Sequence, residues 1–272
     1  MKKTKKVLLY ITVIIVSFIY LVPLYILLNV ALKGPKELTS HWIFPKNVIF
    51  DNFTNVWVEA NFGRILLNNL VITVSVLLIV VIIGSFAAYP LARRKSKLNN
   101  FVYSLIVSCM IVPALTILVP LYRIMVDING INTYWGIILL HTAFGLPFAI
   151  FLYTGFINTI PKELDEAAVI DGCSRFGVFF RIIIHLLKPT TATLMIINGV
   201  ALWNDYQFSL FFLQKSKMQT FTVALSQFFS QYTSNVHWVA AGCIISMLPI
   251  TIMYLALQKY FVKGLADGAV KG

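Results

Sequence analysis

Long apolar runs alternate with short charged clusters along this chain. An α-helix needs about 20 apolar residues to cross a hydrocarbon core about 30 Å thick. Six runs fit that requirement, and we predict that each forms a membrane-spanning helix. They lie at residues 7–32, 65–92, 98–122, 134–157, 189–213 and 238–258. Since no separate soluble domain stands out, we predict one all-α transmembrane domain over residues 1–272.

The connections between these runs are mostly short, with two exceptions. Residues 33–64 join the first span to the second, and residues 158–188 join the fourth span to the fifth. A tail at residues 259–272 follows the last span and contains Gly264, Gly268 and Gly272. Each interior glycine costs a helix about 1 kcal/mol relative to alanine. We therefore predict that the tail is not a stable helix on its own.

The composition indicates that lipid is the solvent for most of the chain. Apolar residues make up 59% of the chain and charged residues 12%, against roughly 45–50% and 25% in soluble proteins. A soluble fold of this size could not cover that much apolar surface, and the mean hydropathy of +0.84 agrees. A net charge of +12 would suggest nucleic acid in a soluble domain. Here the basic residues form short clusters between apolar runs, so we predict no nucleic-acid partner.

The basic residues are distributed unevenly between alternate connections. With the N-terminus inside, 15 of the 22 Lys and Arg residues fall in inner segments. The inner ones are Lys2, Lys3, Lys5, Lys6, Arg93, Arg94, Lys95, Lys97, Lys162, Arg175, Arg181, Lys188, Lys259, Lys263 and Lys271. The outer ones are Lys33, Lys36, Lys46, Arg64, Arg123, Lys215 and Lys217. Because cytoplasmic loops carry the excess of Lys and Arg, we predict that both termini are cytoplasmic.

The inner segment 158–188 reads as two short helices. Pro161 suits the first turn of a helix, where its missing N–H is not needed. Glu163, Asp165 and Glu166 follow in the first turns, where the helix dipole favours acids. Gly172 is placed to end this helix, and Ser174 can cap a second helix over 175–187. Periodicity alone leaves open whether the segment lies on the membrane surface or docks against another protein.

A resemblance to a known family decides between these alternatives. Glu166-Ala167-Ala168, followed by Asp171-Gly172 and then by Lys188-Pro189, resembles the "EAA" loop. That loop marks the membrane permease subunits of bacterial ATP-binding-cassette importers. The form of residues 160–172 resembles the carbohydrate branch, typified by the maltose permeases. The sequence departs from the family pattern at His185, where the family has a proline. We therefore expect the second helix to run on without a kink. A lone histidine at such a position usually has a structural role.

Short matches in family order extend along nearly the whole chain. They are Asn68-Asn69-Leu70, the run from Ala87 to Arg93, Val112-Pro113, the run from Val119 to Tyr122, the run from Asn132 to Gly136, and Trp203-Asn204-Asp205-Tyr206. The tail from Tyr260 to Gly272 resembles that of the second of two sugar permeases, the maltose-type "G" partner. It departs from that pattern at Ala266-Asp267.

The resemblance implies a multi-pass subunit in the bacterial cytoplasmic (inner) membrane. It would move a sugar or oligosaccharide from an extracytoplasmic binding protein into the cytoplasm by alternating access. The implied partners are a second sugar permease in a heterodimer and two ATPase subunits. ATP and Mg would bind to those ATPases, so no enzyme activity and no cofactor are expected on this chain. The alternatives are a permease for a non-sugar solute and a stand-alone channel or secondary transporter.

Three groups of residues are the candidates for function. The candidates for coupling to the ATPases are Glu163, Glu166, Ala167, Ala168, Asp171 and Gly172. The candidates for contact between the tail and the ATPases are Gly264, Gly268, Lys271 and Gly272. For the translocation path they are Tyr122, His141, Asn198, Asn204 and Asp205. These residues are candidates for the path because polar groups are rare within membrane spans. Hydrogen bonds between helices would explain their presence equally well. No metal-ligand spacing, nucleophile arrangement or phosphate-binding loop occurs in the sequence.

Overall fold

The computed structural model describes residues 2–34, 37, 39–231 and 236–269, and in these residues every regular element is a helix. The α-helices are α1 (Lys2–Leu32), α2 (Asp51–Glu59), α3 (Phe62–Arg93), α4 (Lys97–Ser108), α5 (Leu118–Asp127), α6 (Tyr134–Ile157), α7 (Glu163–Ile170), α8 (Arg175–Val178), α9 (Ile184–Leu186), α10 (Lys188–Trp203), α11 (Gln207–Phe212), α12 (Phe221–Gln231) and α13 (Val236–Ala269). A π-helical turn, Phe179–Ile183, joins α8 to α9. The all-α prediction is confirmed, and the chain forms two compact units. The first contains Met1–Leu66 and Phe221–Leu248, and the second contains Leu67–Thr220 and Pro249–Gly272.

In the first unit, polar side chains fasten the end of α1. The Asn52 amide on α2 donates to the carbonyl of Ala31 at 2.7 Å and to that of Lys33 at 2.8 Å. The His237 imidazole on α13 lies 2.9 Å from the carbonyl of Val30. These contacts satisfy carbonyl groups that the end of a helix leaves without intrahelical partners. Most of α1 presents apolar side chains outward, as expected for a helix in contact with lipid.

In the second unit, small residues let long helices approach closely. A Cβ atom built on Gly84 of α3 would lie 2.8 Å from the Cβ of Ala149 on α6. A Cβ on Gly199 of α10 would lie 2.7 Å from the Met253 side chain on α13. Small residues at helix contacts are typical of membrane proteins, since lipid supplies no hydrophobic force that drives helices together. The buried apolar core of this unit is built mainly from α3 and α6, with residues of 178–187 and 208–213 packed against them.

Hydrogen bonds at the two ends of this unit establish the direction of its helices. Asn69, near the start of α3, donates to the carbonyl of Trp203 at the end of α10. The hydroxyl of Tyr134, which begins α6, donates to Asn68 at 2.6 Å. At the opposite end, Arg93 finishes α3 and donates to the carbonyl of Ile157, which finishes α6. Helices α3 and α6 therefore run in the same direction and α10 runs the other way, so residues 97–127 must cross the unit between them.

Among the residues that the structure describes, four helices are long and apolar enough to cross a membrane by themselves, and two bent helix pairs bring the number to as many as six. The four are Lys5–Leu32, Phe62–Arg93, Tyr134–Ile157 and Val236–Tyr260. The bent pairs are Lys97–Ile111 with Ala114–Asp127, at 89°, and Arg175–Leu186 with Lys188–Trp203, at 68°. Several membrane helices are thus supported by length and composition.

Two of the predicted spans differ in form from the helices observed. Residues 98–122 are not one helix, because the chain breaks at Val112, which is extended with ψ 116°. Pro113 explains the break, since proline disfavours the helical conformation of the residue before it. The predicted span 189–213 ends as a helix at Trp203, and the short helix α11 follows after a break.

The last helix continues past residue 258, where the predicted sixth span ends. Helix α13 extends to Ala269 and includes Gly264 and Gly268. The sequence argument considered the tail as an isolated segment, whereas the helix is already nucleated by the span before it. Extending a formed helix avoids the unfavourable nucleation step. Lys271 and Gly272, the other two candidate tail contacts, lie outside the described residues.

Candidate functional site

The segment around α7 has well-defined ends. Gly172 follows the helix with φ +85°, a left-handed conformation that side chains with a Cβ rarely adopt. The N–H of Gly172 donates to the carbonyl of Val169 at 3.0 Å, and that of Cys173 donates to the carbonyl of Ala168 at 2.9 Å. These two bonds form a Schellman motif, which satisfies carbonyl groups at the helix end. The prediction that Gly172 ends the first helix is confirmed.

Most of the coupling candidates on and beside α7 are exposed. Those with exposed side chains or backbone are Glu163, Glu166, Ala167, Asp171 and Gly172. The exception is Ala168, which is only 5% exposed and is the one buried residue of α7. Beside the acids, the Ile170 side chain is 85% exposed. This surface combines acidic, small and apolar groups, a combination that suits a protein partner.

The next part of the segment forms a bent helical path towards α10. The Ser174 hydroxyl accepts the N–H of Gly177 at 3.1 Å, which confirms Ser174 as the cap of the second helix. The helical path continues past His185 to Leu186 without a kink, as expected, and the chain bends by 68° only where α10 begins at Lys188. Pro189 explains the bend, because it has no N–H to donate to the carbonyl four residues earlier. The His185 side chain is exposed.

An Arg–Asp pair joins α7 to the end of α3. The Arg93 guanidinium donates from Nε to Asp165 Oδ2 at 3.0 Å and from Nη2 to Oδ1 at 2.8 Å. Its Nη1 donates to the carbonyls of Ile157 at 3.1 Å and Ile160 at 2.9 Å. The Tyr89 hydroxyl donates to Asp165 Oδ2 at 2.8 Å. We refer to these five hydrogen bonds as the Arg93 clamp.

Two candidates for the translocation path, His141 and Asp205, lie together inside the second unit. The His141 Nε2 and Asp205 Oδ2 atoms are 3.5 Å apart, and both side chains are largely buried. The carboxylate of Asp205 also accepts the N–H of Phe208 at 3.2 Å. It accepts the N–H and the hydroxyl of Ser209, each at 2.8 Å. Asp205 therefore caps the start of α11 and connects it to α6.

The structure places Tyr122, Asn198 and Asn204 in different surroundings. The Tyr122 hydroxyl accepts a hydrogen bond from Gln214 at 3.3 Å, and its ring contacts Phe212. Asn198 is half-buried on α10. Asn204 is exposed and donates only within its own turn, to the carbonyl of Val200 at 2.9 Å. The five candidates do not form one continuous polar cluster.

Neither the α7 segment nor the His141–Asp205 pair forms a metal site by its residue types. Within the described ranges, no group of three or more His, Cys, Asp or Glu side chains could hold a metal ion. The two polar arrangements differ in chemistry. The His141–Asp205 pair is enclosed by helices of the second unit, whereas the surface of α7 is open and lies next to the Arg93 clamp.

A match to a family of transport proteins over most of the chain shows which family the chain belongs to. Residues 80–267 match the family described as "Binding-protein-dependent transport system inner membrane component". The chain belongs to this family. The match includes the end of α3, the α7 segment and α10, and the resemblance inferred from the EAA loop is confirmed. Members are transport components rather than catalysts, and the family description places the permease in an inner membrane.

Curated relatives match the permease over nearly their whole length. It is 50% identical over 259 residues to the melibiose/raffinose/stachyose import permease protein MelC of Bacillus subtilis (strain 168), covering 95% of this chain and 94% of MelC. It is 35% identical over 259 residues to a probable starch degradation products transport system permease protein, AmyC of Thermoanaerobacterium thermosulfurigenes, again over 95% and 94%.

A solved structure shares the fold of the permease. It is the crystal structure of a bacterial ABC transporter involved in the import of the acidic polysaccharide alginate. The match has a TM-score of 0.78 at 20% identity and covers 95% of this chain and 98% of that one. At this identity the likeness establishes the fold of an ABC importer permease.

Sequence reasoning did not assign a functional role to Tyr89 or Arg93. Both belong to the matched run from Ala87 to Arg93, and the position of Asp165 near a helix start gives no sign of a bond to α3. One signal was present in the sequence. Tyr89 and Arg93 are four residues apart, so they share a helix face at the end of a span. Their common partner on α7 could not be read from that spacing.

Proposed function

We propose that this permease is one of two transmembrane subunits of an ATP-driven oligosaccharide importer. We infer that its substrates carry α-galactosyl units, as melibiose, raffinose and stachyose do. The support is the 50% identity to MelC over nearly the whole of both chains. A starch-product permease is also among the relatives, at 35% identity. Sugar import is thus common to relatives that are named for different substrates.

The proposed importer contains four kinds of subunit. A second, related permease would complete a heterodimer, two ATPase subunits would bind ATP and Mg, and an extracytoplasmic binding protein would deliver the sugar. This chain would contribute six spans with both termini in the cytoplasm. The uneven distribution of Lys and Arg supports that orientation. The tail residues Gly264, Gly268, Lys271 and Gly272 are proposed contacts with the ATPases.

The exposed surface of α7 is the observation that carries the proposed contact with the ATPases. Ile170 is 85% exposed on a short helix whose Glu163, Glu166 and Ala167 are also exposed. At the cytoplasmic end of a membrane protein, such a surface needs a protein partner to cover its apolar part. We propose that it docks in a cleft of an ATPase subunit. When ATP draws the ATPases together, α7 would move and the spans would change from inward-open to outward-open.

Uptake and assembly measurements test this proposal. The complete importer is expressed in a strain that lacks its own α-galactoside uptake. Radiolabelled raffinose and melibiose should enter, with maltose as the comparison sugar. Ala167→Asp should reduce uptake by about tenfold or more while the permease still inserts, because a buried unpaired charge at a docking centre is strongly unfavourable. The ATPases should no longer co-purify with the permease.

The matched control is Asn100→Asp, which adds an acid at an exposed position outside α7. This variant should import and assemble like the unchanged protein. Normal uptake by Ala167→Asp at normal expression would refute docking through α7. Uptake of maltose but not of raffinose or melibiose would refute the proposed substrate class and leave the docking result intact.

A further inference from the structure

The inference concerns how α7 is held to the rest of the permease. Helix α7 has eight residues, of which only Ala168 is buried. Its apolar residues Leu164, Val169 and Ile170 are exposed. Apolar packing therefore contributes little to its position, since burial of apolar area is what usually holds a short helix in place. The Arg93 clamp is the main polar attachment between α7 and α3.

The geometry of the clamp restrains α7 in both distance and orientation. Arg93 engages both oxygens of Asp165 with two different nitrogens, and a planar fork of this kind sets direction as well as separation. Only 10% of the Arg93 side chain and 16% of the Asp165 side chain are exposed. Tyr89 binds the same carboxylate from one turn earlier on α3. Asp165 is thus held from one helix by two side chains.

The same guanidinium also holds the chain that enters α7. Its remaining nitrogen donates to the carbonyls of Ile157, the last residue of α6, and of Ile160, in the turn before α7. One side chain therefore connects the ends of α3 and α6 to α7. Higher along these helices, Gly84 of α3 lies against Ala149 of α6, so the two helices are also in close contact away from the clamp. A displacement of α7 would act on both helices through Arg93.

The energetics of a partly buried ion pair indicate that the Arg93–Asp165 pair fixes the position of α7 more than it stabilises the fold. A partly buried ion pair gains little net stability, because the loss of hydration offsets the attraction between the charges. Its bidentate geometry, by contrast, excludes other orientations of the two groups. Lysine would retain the charge but could not form the fork together with two carbonyl bonds.

We propose that the Arg93 clamp transmits movement of α7 to α3 and α6, with Arg93 as the positioning residue. The inference rests on the proposed function, in which the ATPases move α7. The Arg93 side chain is only 10% exposed and is directed to α7 and to the end of α6. Without the clamp, the ATPases should therefore remain bound and still hydrolyse ATP. Less sugar should be imported for each ATP that is hydrolysed.

The test is the number of ATP molecules hydrolysed per sugar imported. The complete importer is reconstituted in proteoliposomes with binding protein and raffinose, and both rates are measured on the same preparation. Arg93→Gln and Asp165→Asn should raise this ratio by about tenfold, since each removes one side of the charged bonds. Arg93→Lys should raise it less. The matched control is Arg94→Gln, because Arg94 is the exposed neighbour outside the clamp, and its ratio should not change.

Each result separates the clamp from a purely structural role. A variant that lost assembly or thermal stability, with an unchanged ratio in the surviving complexes, would overturn the proposal. An unchanged ratio in a fully assembled Arg93→Gln importer would also overturn it. If Arg93→Gln does not fold, Tyr89→Phe provides a milder variant, because it removes only the hydrogen bond from the Tyr89 hydroxyl to Asp165. The proposal then requires that Tyr89→Phe raises the ratio of ATP hydrolysed to sugar imported. Failure of the unchanged importer to take up raffinose would instead contradict the proposed function, before any clamp variant is measured.

Discussion

His141 and Asp205 come from different parts of the chain and meet at 3.5 Å inside the second unit. Asp205 has further partners, because its carboxylate accepts bonds from Phe208 and Ser209 at the start of α11. The His141 ring contacts the Phe208 ring at a centroid distance of 5.4 Å. These contacts account for an acid in a largely buried position without a sugar or a proton relay. The structure thus favours a role in which Asp205 holds α11 against α6.

The residue-scale prediction is that Asp205→Ala destabilises the permease more than Asp205→Asn. Alanine removes the partner of His141 and leaves the N–H groups of Phe208 and Ser209 without their acceptor, at a cost of about 1–3 kcal/mol. Asparagine retains an acceptor oxygen. Thermal unfolding of the purified importer in detergent, followed by circular dichroism, measures the difference.

The control for this experiment is Asn204→Ala, the neighbouring residue, whose amide is exposed and bonds only within its own turn. It should unfold close to the temperature of the unchanged importer. Equal unfolding temperatures for Asp205→Ala and the unchanged importer would argue against a structural role. If uptake were nevertheless lost, Asp205 would become a stronger candidate for the translocation path.

At the scale of elements, the contact between α3 and α6 depends on the absence of a side chain. A Cβ on Gly84 would lie 2.8 Å from the Cβ of Ala149, and the next nearest atom belongs to the Ala149 backbone. Real Cβ atoms do not approach so closely, and backbone cannot rotate out of the way. The two helices would have to separate to admit a methyl group.

We therefore expect Gly84→Ala to lower stability by about 1–3 kcal/mol, the usual cost of overpacking a core. Gly155→Ala on α6 is the matched control, because nothing lies within 4 Å of a Cβ at that position. It should be neutral or stabilise by about 0.5–1 kcal/mol, since alanine favours the helix. Thermal unfolding of both variants, measured side by side in the importer, gives the comparison. A Gly84→Ala variant as stable as Gly155→Ala would mean that α3 and α6 are not in close contact.

The pattern of apolar runs located several helices but did not show which of the predicted spans are bent. Apolar runs located α1, α3, α6 and the first part of α13 closely, because a helix in lipid needs a continuous apolar length. The same count could not distinguish a straight span from a bent pair. The 89° bend near Pro113 and the 68° bend before Pro189 both lie within or beside apolar sequence. Proline marked both places, yet Pro90 and Pro147 lie inside unbroken helices.

For the whole molecule, the arrangement of helices leads to a topology prediction. The contacts of Asn69 and Arg93 place the start and end of α3 at opposite ends of the second unit. The bent pair over residues 97–127 must therefore cross that unit. With the excess of basic residues inside, reporter fusions after Lys46 and Lys97 should report opposite sides of the membrane. A fusion after Asn129 should agree with Lys46.

The Asn129 fusion decides between a crossing and a re-entrant loop. A re-entrant pair would place Asn129 on the same side as Lys97, which would contradict both the six-span prediction and the helix directions. A fusion to the C-terminus provides the control and should report the cytoplasmic side. Agreement between the Lys46 and Lys97 fusions would refute the predicted orientation as a whole.

The sequence by itself determined the class of the molecule and the position of its most informative segment. Composition alone indicated lipid, and the motif from Glu166 to Gly172 indicated an importer permease, which the family match confirms. The turn at Gly172 and the cap at Ser174 were also predicted correctly. These features depend on neighbours along the chain, so local patterns are sufficient to reveal them.

Only the tertiary structure decided which distant residues meet. Arg93 with Asp165 and His141 with Asp205 are pairs whose members lie far apart along the chain, and their approach depends on how α3, α6 and the following helices cross. Periodicity defines the face of a helix but not the neighbour that this face contacts. In lipid, moreover, apolar faces are satisfied by the solvent itself, so hydrophobicity does not select a partner helix. Close backbone approach and a few buried polar bonds make that selection, and both become visible only when the helices are assembled.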